Sequence, residues 1–103
     1  MNYLVYITAP NKGEAEKIGA FLIEGHLAAC VNIFDGITSI YRWEGEIQKD
    51  GEVVLIAKTT YNKFGELKDK VKEIHPYDCP CITAIEIKDG NEEFLSWIES
   101  ETS

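Results

Sequence analysis

The chain has 103 residues, 45% of them hydrophobic and 27% charged, which is room for a single domain (1–103) around one core and argues against disorder. No apolar run approaches the roughly 20 residues of a membrane span. With 18 acidic against 10 basic residues, a net charge of −8 and only one arginine (Arg42), the chain lacks a basic patch for phosphate, so nucleic acid is not an expected partner; a cation suits the charge better, though most of the acidity reads as solvated surface.

The amino terminus, Met1-Asn2-Tyr3-Leu4-Val5-Tyr6, has no basic segment followed by an apolar stretch and a small-residue cleavage site. Three cysteines, an odd number, do not make a secreted disulfide framework. The cytoplasm is the expected compartment, with no membrane attachment.

Tyr3 to Ala9, β-branched and aromatic and bounded by Pro10-Asn11, reads as a buried strand. Asn11 followed by Glu14 has the spacing of a capping box, and Ala15, Ile18, Leu22 and Ile23 fall on one face of the helix it starts. Gly25 suits the left-handed residue that ends this helix. Ala28 to Phe34 reads as a second strand closed by a turn at Asp35-Gly36, and Thr38 to Trp43 as a third. Glu44-Gly45 turns the chain so that Glu46 to Lys49 pairs back, and Asp50-Gly51 precedes a further strand, Glu52 to Thr60. A second helix, about Asn62 to Ile74, carries Phe64, Leu67, Val71 and Ile74 on one stripe and stops at Pro76. Cys81 to Lys88 is a strand, and Asn91 caps a last helix whose buried side is Phe94, Leu95 and Ile98.

The predicted class is α+β: a ferredoxin-like βαββαβ sandwich with an extended β-hairpin arm and a C-terminal helix. Two helices cover one sheet face, yet Leu4, Tyr6, Val54 and Ile56 make the other face apolar too. Such a face needs another subunit, so oligomerisation is expected.

Six segments in order resemble the CutA family, the divalent-cation tolerance proteins, over essentially the full length. They are Thr8-Ala9-Pro10, Leu27-Ala28-Ala29-Cys30-Val31-Asn32, Tyr41-Arg42-Trp43-Glu44-Gly45, Lys58-Thr59-Thr60, His75-Pro76-Tyr77 with Pro80, and Phe94-Leu95-Ser96-Trp97-Ile98. The resemblance implies a tight homotrimer, similar in architecture to the PII signalling proteins, with a role in tolerance of divalent metals and, in some members, copper binding. It implies no reaction. Where copper binding has been attributed, the ligands are two adjacent histidines before Pro-Tyr and a cysteine before Thr-Ala-Pro. This chain has Ile74-His75 and Ile7 there, so one of the three is present.

His75 is therefore a metal-ligand candidate; the alternative is a helix cap hydrogen-bonded at an interface. Cys30 is a soft-metal ligand or nucleophile that His75 approaches in space, or an inert buried thiol. In Cys79-Pro80-Cys81 both sulfurs fall on one face of an extended chain and suit Cu(I) or Zn(II), unless they are incidental. His26 is read as a helix-end residue. Trp43, Glu44, Lys58 and Tyr77 bring together an indole, a carboxylate, an ammonium and a phenol, suited to a small ligand in an inter-subunit cleft. Alternatively Trp43 packs, and Glu44 pairs with Lys58. No hydrolase elbow, phosphate loop, dinucleotide turn or zincin motif is present, so the chain is not expected to be an enzyme.

The expected function is that of a trimeric divalent-cation tolerance protein, binding divalent or soft ions such as copper, in the response to metal ions. No cofactor is required; copper or another divalent cation is the ion implied. The alternatives are a PII-like signalling or scaffold trimer with a small ligand in its inter-subunit clefts, and a small hydrolase or transferase using Cys30 and His75.

Overall fold

In the computed structural model, which describes residues 1–103, the alternating residues after Met1 form β1 (Asn2–Ala9). The chain turns at Pro10 into α1 (Lys12–Glu24), where the Asn11 side chain accepts the Glu14 backbone N–H at 2.9 Å, as the spacing predicted. The far end differs from expectation. Gly25 keeps a right-handed φ of −86°, and the left-handed residue is His26, at φ 57°. The N–H groups of His26 and Leu27 donate to the carbonyls of Ile23 (3.2 Å) and Leu22 (2.9 Å), a Schellman closure one residue beyond the glycine. His26 Nδ1 meets the Glu101 carbonyl at 3.1 Å, so the proton sits on Nδ1 and ties the two chain segments together.

The segment read as two strands is one, β2 (Cys30–Trp43), and β3 (Glu46–Thr60) likewise runs through Asp50-Gly51 without a break. Asp35-Gly36 is not a chain reversal. Phe34 pairs with Val54 and Ile37 with Glu52, so Asp35 and Gly36 together oppose Val53: a β-bulge, with Gly36 at φ 75° supplying the left-handed residue. The bulge switches the parity of β2. Before it Cys30, Asn32 and Phe34 share a face with Lys58, Ile56 and Val54; beyond it Ile37, Ser39, Tyr41 and Trp43 take over that face, beside Glu52 and Asp50. The hairpin closes at Glu44-Gly45, both with positive φ (50° and 82°), the signature of a type I′ turn.

After α2 (Tyr61–Ile74), β4 (Ile82–Ile87) and α3 (Glu92–Glu101) complete the chain. The sheet order is β2-β3-β1-β4, with β1 antiparallel to both β3 and β4. Two interleaved βαβ crossovers therefore make the ferredoxin-like sheet expected. Val5, Ile7, Leu55 and Ala57 point to one side and pack with Ile18 and Leu22 of α1 and Leu67 and Val71 of α2. α3 packs at the ends of β1 and β3, where Asn2 Nδ2 donates to the Leu95 carbonyl at 3.1 Å. Of its expected buried side only Ile98 is fully covered; Phe94 is exposed and stacks on Trp97.

β1 pairs with β3 only as far as Val53, so beyond it β2 and β3 continue as a two-stranded arm. The arm stretches the molecule to 44 Å and raises the radius of gyration to 14.1 Å, against about 13 Å for a compact chain of this length. Phe34 and Ile85 lie exposed on the helix-free sheet face, and Ile40, Tyr41, Trp43 and Ile47 on the arm. No helix is long and apolar enough to cross a membrane.

Candidate functional site: a groove at the base of the arm

Where the arm leaves the sheet, a groove of about 920 Å³ opens between it and the loop after α2. Its floor is Tyr6 and Thr8 of β1. One wall is Ser39, Tyr41 and Trp43 with Asp50 and Glu52; the other is the loop from Pro76 to Cys81. The bulge turns Ser39, Tyr41 and Trp43 of β2 to this face; without it their alternation would place them on the other.

His75 fixes the loop wall from below. It is 8% exposed, with Nε2 at 2.7 Å from the Thr8 carbonyl and Nδ1 at 3.1 Å from the Tyr77 backbone N–H. A carbonyl only accepts and an N–H only donates, so the ring is neutral, Nε2 carries the proton and Nδ1 accepts. Both nitrogens are committed within the chain. The expected approach of His75 to Cys30 does not occur. Cys30 lies across two strands and four residues along from Thr8, roughly 16 Å at ~4.8 Å per strand and ~3.3 Å per residue. No three His, Cys, Asp or Glu side chains are grouped to hold a metal ion, so the residues of one chain do not fit a closed metal centre.

Of the four ligand-cleft candidates, Trp43 and Tyr77 line the groove and Glu44 and Lys58 do not. Lys58 Nζ donates to Asn32 Oδ1 on the sheet, while Glu44 sits exposed at the arm's tip. Twelve residue steps along β3 take Lys58 to Glu46, roughly 40 Å at ~3.3 Å each, which excludes the alternative Glu44–Lys58 pair within a chain. Sequence reading missed Tyr41, Asp50, Glu52 and Asp78 as groove residues. The clue was the glycine in Asp35-Gly36: taken as a bulge instead of a turn, it brings Tyr41 onto the face of Tyr6 and Thr8, beside Asp50 of the uninterrupted β3.

Two phenols face the carboxylates here. Tyr41 donates to Asp50 Oδ2 at 2.5 Å, and this bond, ahead of desolvation, holds its pKa above the ordinary 10.0. Tyr77 donates to Glu52 Oε2 at 2.7 Å; burial first, then that bond, pushes it well above 10.0. The folded state thus binds these protons more tightly than the unfolded chain. The stabilisation is complete below pH 10 and is lost as pH rises through the folded values. Wild-type phenolate absorbance should appear at higher pH than in the Tyr77→Phe variant corrected for one fewer tyrosine, and the variant should lose less stability between pH 9 and 11. Superimposable titrations would rule out the Tyr77–Glu52 bond in solution.

The CutA1 divalent ion tolerance protein family matches residues 3–101. The divalent-cation tolerance protein CutA of Thermus thermophilus is 48% identical over 102 residues, 99% of each chain, and that of Archaeoglobus fulgidus is 50% identical over 99 residues, 96% of each. The solved structure of the Thermus protein superposes with a TM-score of 0.98 over 100% of both chains. The structure of a rice CutA1, 42% identical, gives 0.96 over 99% of this chain and 94% of its own.

Proposed function

Because this chain belongs to the CutA1 divalent ion tolerance protein family, we propose that it serves the cell's response to divalent and soft metal ions, copper included, as a cytoplasmic homotrimer that binds and does not catalyse. The observation that carries the reading is the bare arm. A two-stranded ribbon is marginal in water on its own. This one carries Tyr41 and Trp43 on one face and Ile40 and Ile47 on the other, all exposed in the single chain. Together with Phe34 and Ile85 on the helix-free sheet face, they form the surface that copies of the same chain cover.

Within that assembly the cation is cargo, held by exposed charge. Asp50, Glu52 and Asp78 each line the groove of a chain whose net charge is −8, and without forming a three-ligand cluster they attract cations through their summed field. Such a site exchanges ions readily. Sedimentation equilibrium should return three times the 11.6 kDa chain mass at micromolar concentration. Calorimetric titration with Zn(II) and Cu(II) should show binding weakened at least about tenfold in Asp50→Asn/Glu52→Gln/Asp78→Asn. A monomer mass, or unchanged binding in that variant, would refute the corresponding half of the reading.

A second reading is favoured by the groove's size and lining. About 920 Å³ walled by Tyr41, Trp43 and Tyr77 is within the range of small-molecule sites. In this reading the trimer is a PII-like scaffold whose inter-subunit clefts hold a metabolite, and Glu44 and Lys58 share a cleft only across copies. A small organic molecule retained in native mass spectra of the metal-free trimer would favour it.

A further inference from the structure

We propose that Cys79 and Cys81 form a two-coordinate site for Cu(I) on the loop wall of the groove. Both side chains line the groove, both are exposed, and neither is in a disulfide. Pro80 between them restricts its own φ and holds Cys79 out of helical geometry, so the two cysteines stand two residues apart in a non-helical loop that bends at Cys79 and joins the strand at Ile82. The segment is anchored on both sides: His75 bonds to Thr8 before it, and Ile82 enters the sheet opposite Ile7 after it. The dithiol is thereby held on one short anchored loop, with both residues lining the same groove.

The donor set decides which ion. Thiolates are soft and select Cu(I) over hard divalent cations. Structural Zn(II) takes four ligands, and no third His, Cys, Asp or Glu is grouped to extend the pair. A monovalent d¹⁰ ion is satisfied by two sulfurs in line. On binding, two S–H bonds break and two S–Cu bonds form; two protons pass to the buffer and copper stays in the +1 state. The complex carries one net negative charge, which water solvates because both sulfurs are exposed. Asp50, Glu52 and Asp78 in the same groove raise the local concentration of cations. Cys81 Sγ also lies 3.6 Å from the Thr83 hydroxyl, a donor that can support the thiolate.

This deepens the cation-tolerance reading and rests on it, but its donors are thiols where the divalent site uses carboxylates. The test is an anaerobic competition titration of the full chain with Cu(I), supplied as its acetonitrile complex, against bicinchoninate. Wild type and Cys30→Ser should each withdraw one Cu(I) per chain. Cys79→Ser/Cys81→Ser should lose at least a hundredfold in affinity while keeping the wild-type melting temperature and Zn(II) isotherm. Failure of wild type to compete, unchanged stoichiometry in the double variant, or loss of Cu(I) in Cys30→Ser would each overturn the site. Loss of Zn(II) binding in Asp50→Asn/Glu52→Gln/Asp78→Asn, with Cu(I) uptake intact, supports two separate donor sets. If wild type binds no Zn(II) or Cu(II), the divalent reading fails and the dithiol result is scored independently.

Discussion

His75→Ala is expected to lower unfolding stability by about 2–4 kcal/mol and to loosen the loop that forms one wall of the groove. The ring is buried and both nitrogens are bonded, to the Thr8 carbonyl and the Tyr77 N–H. Alanine leaves two backbone groups without partners, about 1–3 kcal/mol where they stay dry, and opens a cavity beside Tyr77, whose ring centroid is 4.8 Å from that of His75. For a chain of this length the change corresponds to roughly 10–25 °C in Tm. The loosened loop should also let the Tyr77 phenol ionise nearer to pH 10, because its burial and its bond to Glu52 both depend on loop position. Thermal melting and phenolate absorbance read the two effects. If the variant melts like wild type but no longer binds a divalent ion, His75 is a ligand and its internal bonds are incidental.

The elements themselves were largely legible in the sequence, because cap and turn chemistry is local. Asn11 and Asn91 cap their helices as their positions predict, and Glu44-Gly45 makes the hairpin turn. The misreadings concern residues whose meaning depends on a partner strand. Asp35-Gly36 has the composition of a turn, and only the register against Val53 shows that it is a bulge. That single misassignment hid the groove, since the bulge decides which arm residues face Tyr6 and Thr8.

The candidate site was harder to read because side-chain chemistry says little about distance. His75, Cys30, Glu44 and Lys58 are all suited to ligands, and the fold leaves only Cys30 and Lys58 as neighbours, with His75 and Glu44 far from that pair. Asp50 and Glu52 look like ordinary solvated charges, yet each accepts a phenol in the groove. The apolar residues on both faces of β1 and β3 did foretell an uncovered sheet face, because period-2 alternation reports burial on each side independently.

Trp43→Ala is expected to dissociate the assembly at micromolar concentration. Trp43 sits beside the tip of the arm and is 47% exposed in the single chain, so its own fold leaves about half of the ring's ~200 Å² uncovered. Covering that half against a neighbouring copy is worth about 2.5 kcal/mol per chain at ~25 cal/mol per Å². In a trimer the loss occurs three times, about 7.5 kcal/mol, which is roughly a 10⁵- to 10⁶-fold change in the trimer dissociation constant. The monomer itself should be almost untouched, since Trp43 belongs to neither buried cluster of the core. Wild type, melting as an assembly, should therefore show a Tm that rises with protein concentration, whereas the dissociated variant should melt at a lower Tm that does not change with concentration. Phe34→Ala, on the helix-free sheet face at 53% exposure, should weaken assembly in the same direction and by a smaller amount. Sedimentation equilibrium from nanomolar to micromolar concentration, with melting curves at each, decides the matter. A Trp43→Ala protein that remains trimeric throughout and melts within a degree or two of wild type shows that the arm is no clamp. The indole would then be a wall of the ligand groove alone.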